Sequence, residues 1–208
     1  MTFPILSVII FSPLVGALII LMMPADRKTE IRVVALMTAV FALVLSLWLY
    51  LSYDQVAAGY QFIEKYDWMP SFGISLHLGV DGISTPLVLL TGVVMFTGVI
   101  ISWGIEDRPR EFFAFLFLLA SGVFGVFVAL DLFMLFFFYE IAVFPMYLLI
   151  AIWGWVKTRE YAAMKLTLYL FIGSVVALIG ALAMYFNSGF GTFDMLILET
   201  ANFSPEFQ

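Results

Sequence analysis

The stretch FFFYEIAVFPMY, Phe136–Tyr147, sets one carboxylate, Glu140, among residues that a lipid bilayer tolerates. Glu140 lies eight residues past Leu132, so in a helix it sits about 12 Å from one end of a rod about 33 Å long. A charged group at that depth costs about 2.5–3.5 kcal/mol on insertion scales, and its side chain is too short to reach either interface. Acids placed in this way face a bundle interior and mark ion or proton paths. The plain alternative is a protonated Glu that hydrogen-bonds a neighbouring helix. Pro145 lies five residues on and supplies no N–H, which deprives the Ile141 carbonyl of its helical partner. A kink with a free carbonyl beside a buried acid offers a place for water, although a packing kink has the same signature. Lys165 is a second candidate, a relay or entry group, whose long stem can equally snorkel to the nearer interface.

Other polar residues carry less chemistry. His77 is the single histidine and falls in a loop, which argues against metal binding or proton relay. Asp131 stands at the break between two apolar runs, where a solvated or capping role is expected. Glu111 and Glu160 open helices, where the helix dipole favours a carboxylate. Trp103, Trp153 and Trp155 fall near helix ends and read as interfacial anchors. With no cysteine, there is no disulfide framework and no thiol or Cys-zinc chemistry. No glycine-rich phosphate loop, Ser/His/Asp set or nucleic-acid patch is present.

The elements that must position these groups are membrane helices. The 208 residues are 64% hydrophobic and 12% charged, about half the charged fraction of a soluble domain. Mean hydropathy is +1.10. Six apolar runs are long enough to span, near Phe3–Met23, Ile31–Ser52, Ile83–Trp103, Phe112–Leu130, Leu132–Trp153 and Tyr161–Phe186. Helices are required because lipid leaves unpaired backbone groups unsatisfied. The fold class expected is an all-α polytopic membrane protein, a single membrane domain over residues 1–208. The first run has no positive segment before it, so it reads as an uncleaved helix.

Alternating loops put Arg27, Lys28, Arg32, Arg108, Arg110, Lys157, Arg159 and Lys165 on one side and Lys65 alone on the other. The positive-inside rule then makes the basic side cytoplasmic and places both termini outside. Most acidic groups (Asp54, Glu64, Asp67, Asp81, Asp194, Glu199, Glu206) fall outside. The outer loop 54–81 alternates Phe72, Ile74, Leu76 and Leu78 with small or polar residues around Pro70-Ser71-Phe72-Gly73, which predicts a short hairpin. An outer tail runs over 187–208. Two stripes of small residues, Gly122/Gly125/Ala129 and Gly173/Ala177/Gly180, predict faces that pack inside the protein.

Three segments, LGVDGISTPLVLLT (Leu78–Thr91), ASGVFGVFVALDLFMLFFFYEIAVFPMYLLIAIWG (Ala120–Gly154) and AAMKLTLYLFIGS (Ala162–Ser174), resemble the antiporter-like membrane subunits of respiratory complex I in order and spacing. Cation/proton antiporters of the multi-subunit type share the same patterns. The resemblance implies a proton-translocating membrane-arm subunit of an NADH–quinone oxidoreductase, itself without redox chemistry. Glu140 matches the fifth-helix glutamate assigned to proton translocation, and Lys165 matches a basic position on the sixth helix. No cofactor or metal is expected in this chain. NADH, FMN, iron–sulfur clusters and quinone are expected in partner subunits of the membrane-bound complex. Family members run to about fourteen helices around two inverted repeats. The six runs correspond to about the first two-fifths of a typical member. The lysine that the family pairs with the glutamate is therefore expected on further helices of this or a second chain. Low dielectric favours a neutral carboxyl and a nearby ammonium favours the charged form, so moving the ammonium away and back drives proton uptake and release. A sodium/proton antiporter subunit, or a truncated scaffold subunit that moves nothing, remains an alternative.

Overall fold

A computed structural model describes residues 3–57 and 59–204. Glu206, one of the acidic residues assigned to the outer side, lies outside the described residues, as do residues 205–208 of the tail. Six long helices form the body: α1 Ile5–Met22, α2 Lys28–Ser52, α3 Ser84–Ile101, α4 Pro109–Val128, α5 Leu132–Trp153 and α6 Arg159–Ser188. Each is long and apolar enough to cross a bilayer, which makes the chain a multi-pass membrane protein. Between α2 and α3, strands β1 Gln61–Met69 and β2 Ile74–Val80 form an antiparallel hairpin. The tail after α6 carries a single turn, α7 Met195–Leu198.

The hairpin turns through Pro70–Phe72 and Gly73, whose φ of +65° suits glycine. A Cβ there would also run into the Gly191 carbonyl oxygen, so the tail lies directly against the turn. Glu64 of β1 accepts hydrogen bonds from the Leu6 and Ser7 amides at 2.8 and 3.0 Å. It thereby caps the start of α1, doing from a distance what an N-cap side chain does locally.

The core lies between α1, α4 and α5. Phe113, Phe117 and Phe124 of α4 are fully buried, with Leu6, Ile9 and Ile10 of α1 among the other fully buried residues. The Gly122/Gly125 stripe lets α5 close in: a Cβ on Gly122 would meet the Phe138 carbonyl at 2.8 Å, and one on Gly125 would run into the Phe138 ring. The second stripe differs from expectation. Gly173 and Gly180 are exposed, nothing described lies within 4 Å of where a Cβ would stand, and only Ala163 and Ser174 of α6 are buried. Helical spacing defines a face of small residues, but it does not supply the neighbour that would cover it.

The end opposite the hairpin gathers the basic residues. Lys28 and Arg32 of α2 both reach Glu106, at 3.0 and 2.8 Å. The guanidinium of Arg32, and then the ammonium of Lys28, holds the Glu106 carboxyl below its ordinary value. Trp153 donates its Nε1–H to the Asp107 carbonyl at 2.8 Å, joining the end of α5 to the loop before α4.

Candidate functional site

Three faces of α5 determine where Glu140 sits. Phe138 and Ala142 meet the glycines of α4. Leu132, Leu135, Phe136 and Tyr139 line a groove of about 360 Å³ with Gly173, Ser174 and Ala177 of α6. Phe137 and Phe144 are exposed. Glu140 comes three residues after Phe137 and four after Phe136, so it falls on the border between the α6-facing row and the open row. It is half-buried. Its Oε1 is fully buried and has no hydrogen-bond partner among the described residues. Most buried polar atoms are paired, so an orphaned carboxylate oxygen in a membrane helix calls for a partner from elsewhere. Pro145 is buried five residues beyond, on the face that helical spacing shares with Phe138.

Lys165 is not brought to Glu140. Ala163 and Ser174, the buried residues of α6, lie on one face, and helical spacing puts Lys165 on the opposite one. Its side chain is exposed, with Nζ 5.6 Å from the centre of the Tyr161 ring. Together they line an outward groove with Met164, Leu168, Tyr169 and Ile172. An ammonium over an aromatic face gains a modest cation–π attraction.

The start of α5 holds a second polar constellation. Asp131 is fully buried and caps the helix, accepting from the Phe133 and Met134 amides at 2.9 and 3.1 Å. Its other oxygen accepts from the Ser75 amide of β2 at 3.1 Å. Asp131 is therefore a cap, as its position suggested, but an enclosed one. Burial pushes its carboxyl above the ordinary value, despite the three amides, and the neighbouring Asp194 charge adds to the shift. Asp194 is also buried and receives both Lys65 Nζ, at 2.7 Å, and His77 Nδ1, at 2.9 Å, on one oxygen. Burial alone would raise the Asp194 carboxyl, but Lys65 and His77 hold it below its ordinary value. His77 is thus enclosed within β2 and hydrogen-bonded to Asp194. The sequence signal was its place in the alternation of β2, two residues from Ser75.

This architecture defines an α-helical multi-pass membrane protein, with a capping hairpin and an acid inside its fifth helix. The family described as NADH:quinone oxidoreductase/Mrp antiporter, TM, matches residues 129–207, a stretch that contains Glu140 and Lys165. Over 206 residues the chain is 38% identical to NAD(P)H-quinone oxidoreductase chain 4 of Gloeobacter violaceus, covering 99% of this chain and 39% of that protein. A chain of respiratory complex I from Thermus thermophilus superposes with a TM-score of 0.84 at 23% identity, covering 97% of this chain and 40% of that one. A chain of the Mrp complex from Dietzia superposes with a TM-score of 0.69 at 20% identity, covering 88% and 20%. Along nearly its whole length the chain is thus similar to NAD(P)H-quinone oxidoreductase chain 4, and in fold it is similar to a chain of respiratory complex I. It spans about two-fifths of the length of the curated relative from Gloeobacter.

Proposed function

We propose that the chain forms part of a proton-translocating membrane-arm subunit of a respiratory NAD(P)H–quinone oxidoreductase, with Glu140 as the group that takes up and releases the proton. The observation that carries this reading is the Glu140 Oε1, enclosed within an apolar helix and without a partner among the described residues. An oxygen in that position can be completed by a proton, a water or an approaching cation, and the three occupancies interconvert as a cation moves. The cation comes from a basic group outside the described residues. Lys165, at the basic end and turned away from α5, is proposed as an entry group only. Redox chemistry belongs to partner subunits, which hold NADH, FMN, iron–sulfur clusters and quinone. Their turnover reaches this chain as movement of charge. In the orientation proposed, the basic end faces the cytoplasm of an inner membrane and the hairpin end faces outside.

The test is Glu140→Gln in the intact complex, in sealed vesicles. Quinone-reductase-driven proton translocation should fall by about 100-fold, the low end for loss of a positioned proton-transfer group, with assembly unchanged. Wild-type translocation in that variant would overturn the proposal. A second reading, a sodium/proton antiporter subunit, is favoured by the family description that spans both types and by the Mrp likeness. Sodium-driven proton movement in vesicles given no electron donor would select it.

A further inference from the structure

A groove of about 450 Å³ opens beneath the hairpin, between α1 and α5. Phe11 and Leu14 of α1 form one wall, and Phe137, Phe138 and Ile141 of α5 form the other. Ser121 of α4 also lines it, but its hydroxyl donates to the Ile10 carbonyl at 2.7 Å, so its proton is committed. Both helices start at the hairpin, α1 at Ile5 beside Glu64 and α5 at Leu132 beside the Asp131 cap that Ser75 reaches. Leu14 and Ile141 each lie nine residues past those starts, so both walls run about 13–14 Å into the span. That depth is close to the hydrocarbon of one leaflet, about 15 Å. A helix of the same length needs about 1,000 Å³, so the groove does not take one. At the hairpin end the lining is Tyr66, Asp67 and Trp68 of β1, all exposed. The Trp68 ring leans on Phe133 and Phe137 of α5, with centres 6.3 and 6.0 Å apart. The other charges of β1 are engaged, Glu64 by the Leu6 and Ser7 amides and Lys65 by Asp194. Asp67 takes part in no ion pair among the described residues.

We propose that this groove holds one acyl chain of a phospholipid from the leaflet on the hairpin side, with its ethanolamine headgroup at Asp67. Three observations select that occupant. The apolar walls are as deep as one leaflet's hydrocarbon. Tyr66 and Trp68 stand where amphipathic rings meet lipid headgroups. Asp67 sets an unpaired carboxylate between them, which attracts an ammonium and repels a headgroup whose only charge is negative. A primary ammonium donates charge-assisted hydrogen bonds to that carboxylate, which a quaternary one cannot do. The aromatic faces on either side add a cation–π attraction. The lipid's phosphate then lies toward water. The site is separate from Glu140 and does not depend on whether that group carries a proton.

The test is photolabelling of the intact complex reconstituted in phospholipid vesicles. The probes are two phospholipids with the same photoactivatable acyl chain, one with an ethanolamine headgroup and one with an anionic glycerol headgroup. Peptide mapping of the wild type should place the label on Leu14, Phe137 and Ile141. The ethanolamine probe should label them about fivefold more than the glycerol probe, in keeping with one exposed charge contact and one cation–π contact. Asp67→Asn should bring the two probes to equal labelling, and Asp67→Lys should reverse their order. Asp67 is exposed, so neither substitution disturbs packing. Equal labelling in the wild type overturns the proposal, as does an ethanolamine preference that survives either substitution. Absence of label from the three residues, the result of a neighbouring subunit seated in the groove, also overturns it. The readout needs no proton translocation, so failure of the transport reading would leave it unchanged.

Discussion

Helix α5 carries two carboxylates nine residues apart, and they are treated in opposite ways. Asp131, at the hairpin end, is enclosed and fully engaged, with three amide donors and a place in the knot of hairpin and tail. Glu140, inside the span, is half-buried, and its Oε1 has no partner among the described residues. A satisfied buried acid fixes structure, because every change to it leaves donors stranded. An unsatisfied one contributes little to holding the fold together and is free to change its state. The contrast separates the anchoring end of the helix from the part proposed to work.

Substitution at Asp131 should break this contrast most visibly. Asp131→Ala strands three amides, two of them at a helix start, and should cost about 3 kcal/mol or more. The readout is thermal unfolding of the detergent-solubilised protein. A shift too small to measure would mean that the hairpin does not hold α5. Next comes the packing that sets the height of α5 against α4. Gly125→Val drives a side chain into the Phe138 ring and should cost about 1–3 kcal/mol. The same change at Gly173, where nothing described lies within 4 Å of the Cβ position, should be near neutral in the same assay. Glu64→Ala removes the cap that β1 places on α1 and should cost about 1 kcal/mol. Its effect should appear first as faster hydrogen exchange at Leu6 and Ser7. A small effect is also expected at Glu140→Gln, within about 0.5 kcal/mol of wild type, since Oε1 has no hydrogen bond to lose. A large destabilisation there would make Glu140 a structural residue like Asp131.

The sequence makes the six spans and the hairpin plain, because apolar length and alternation are local signals. Three of the helices, α2, α4 and α6, nonetheless begin before their apolar runs. α2 begins at Lys28 and α6 at Arg159, since charged residues continue a helix past the hydrocarbon and their stems reach the interface. Glu140 is conspicuous because a lone acid in an apolar helix has few bland explanations. The knot at the hairpin end is not legible in that way. Asp131 meets Ser75 across 56 residues, and Asp194 meets His77 across 117. No local pattern announces such pairs, and His77 in a loop reads only as a residue unsuited to metal binding or proton relay. The α6 glycines show the converse: their spacing is real, but spacing alone does not name the neighbour, and nothing described lies against Gly173 or Gly180. Lys165 reads as a candidate relay from its depth along the helix, while its direction around the helix turns it away from α5.

The most direct test of the central proposal follows the proton on Glu140 itself. Infrared difference spectroscopy of the intact complex, resting against turning over, should reveal a carboxylic-acid C=O band that appears or disappears with turnover and is absent in Glu140→Gln. A band that changes identically in wild type and variant, or no turnover-linked carboxyl band at all, would contradict the assignment of proton uptake and release to Glu140.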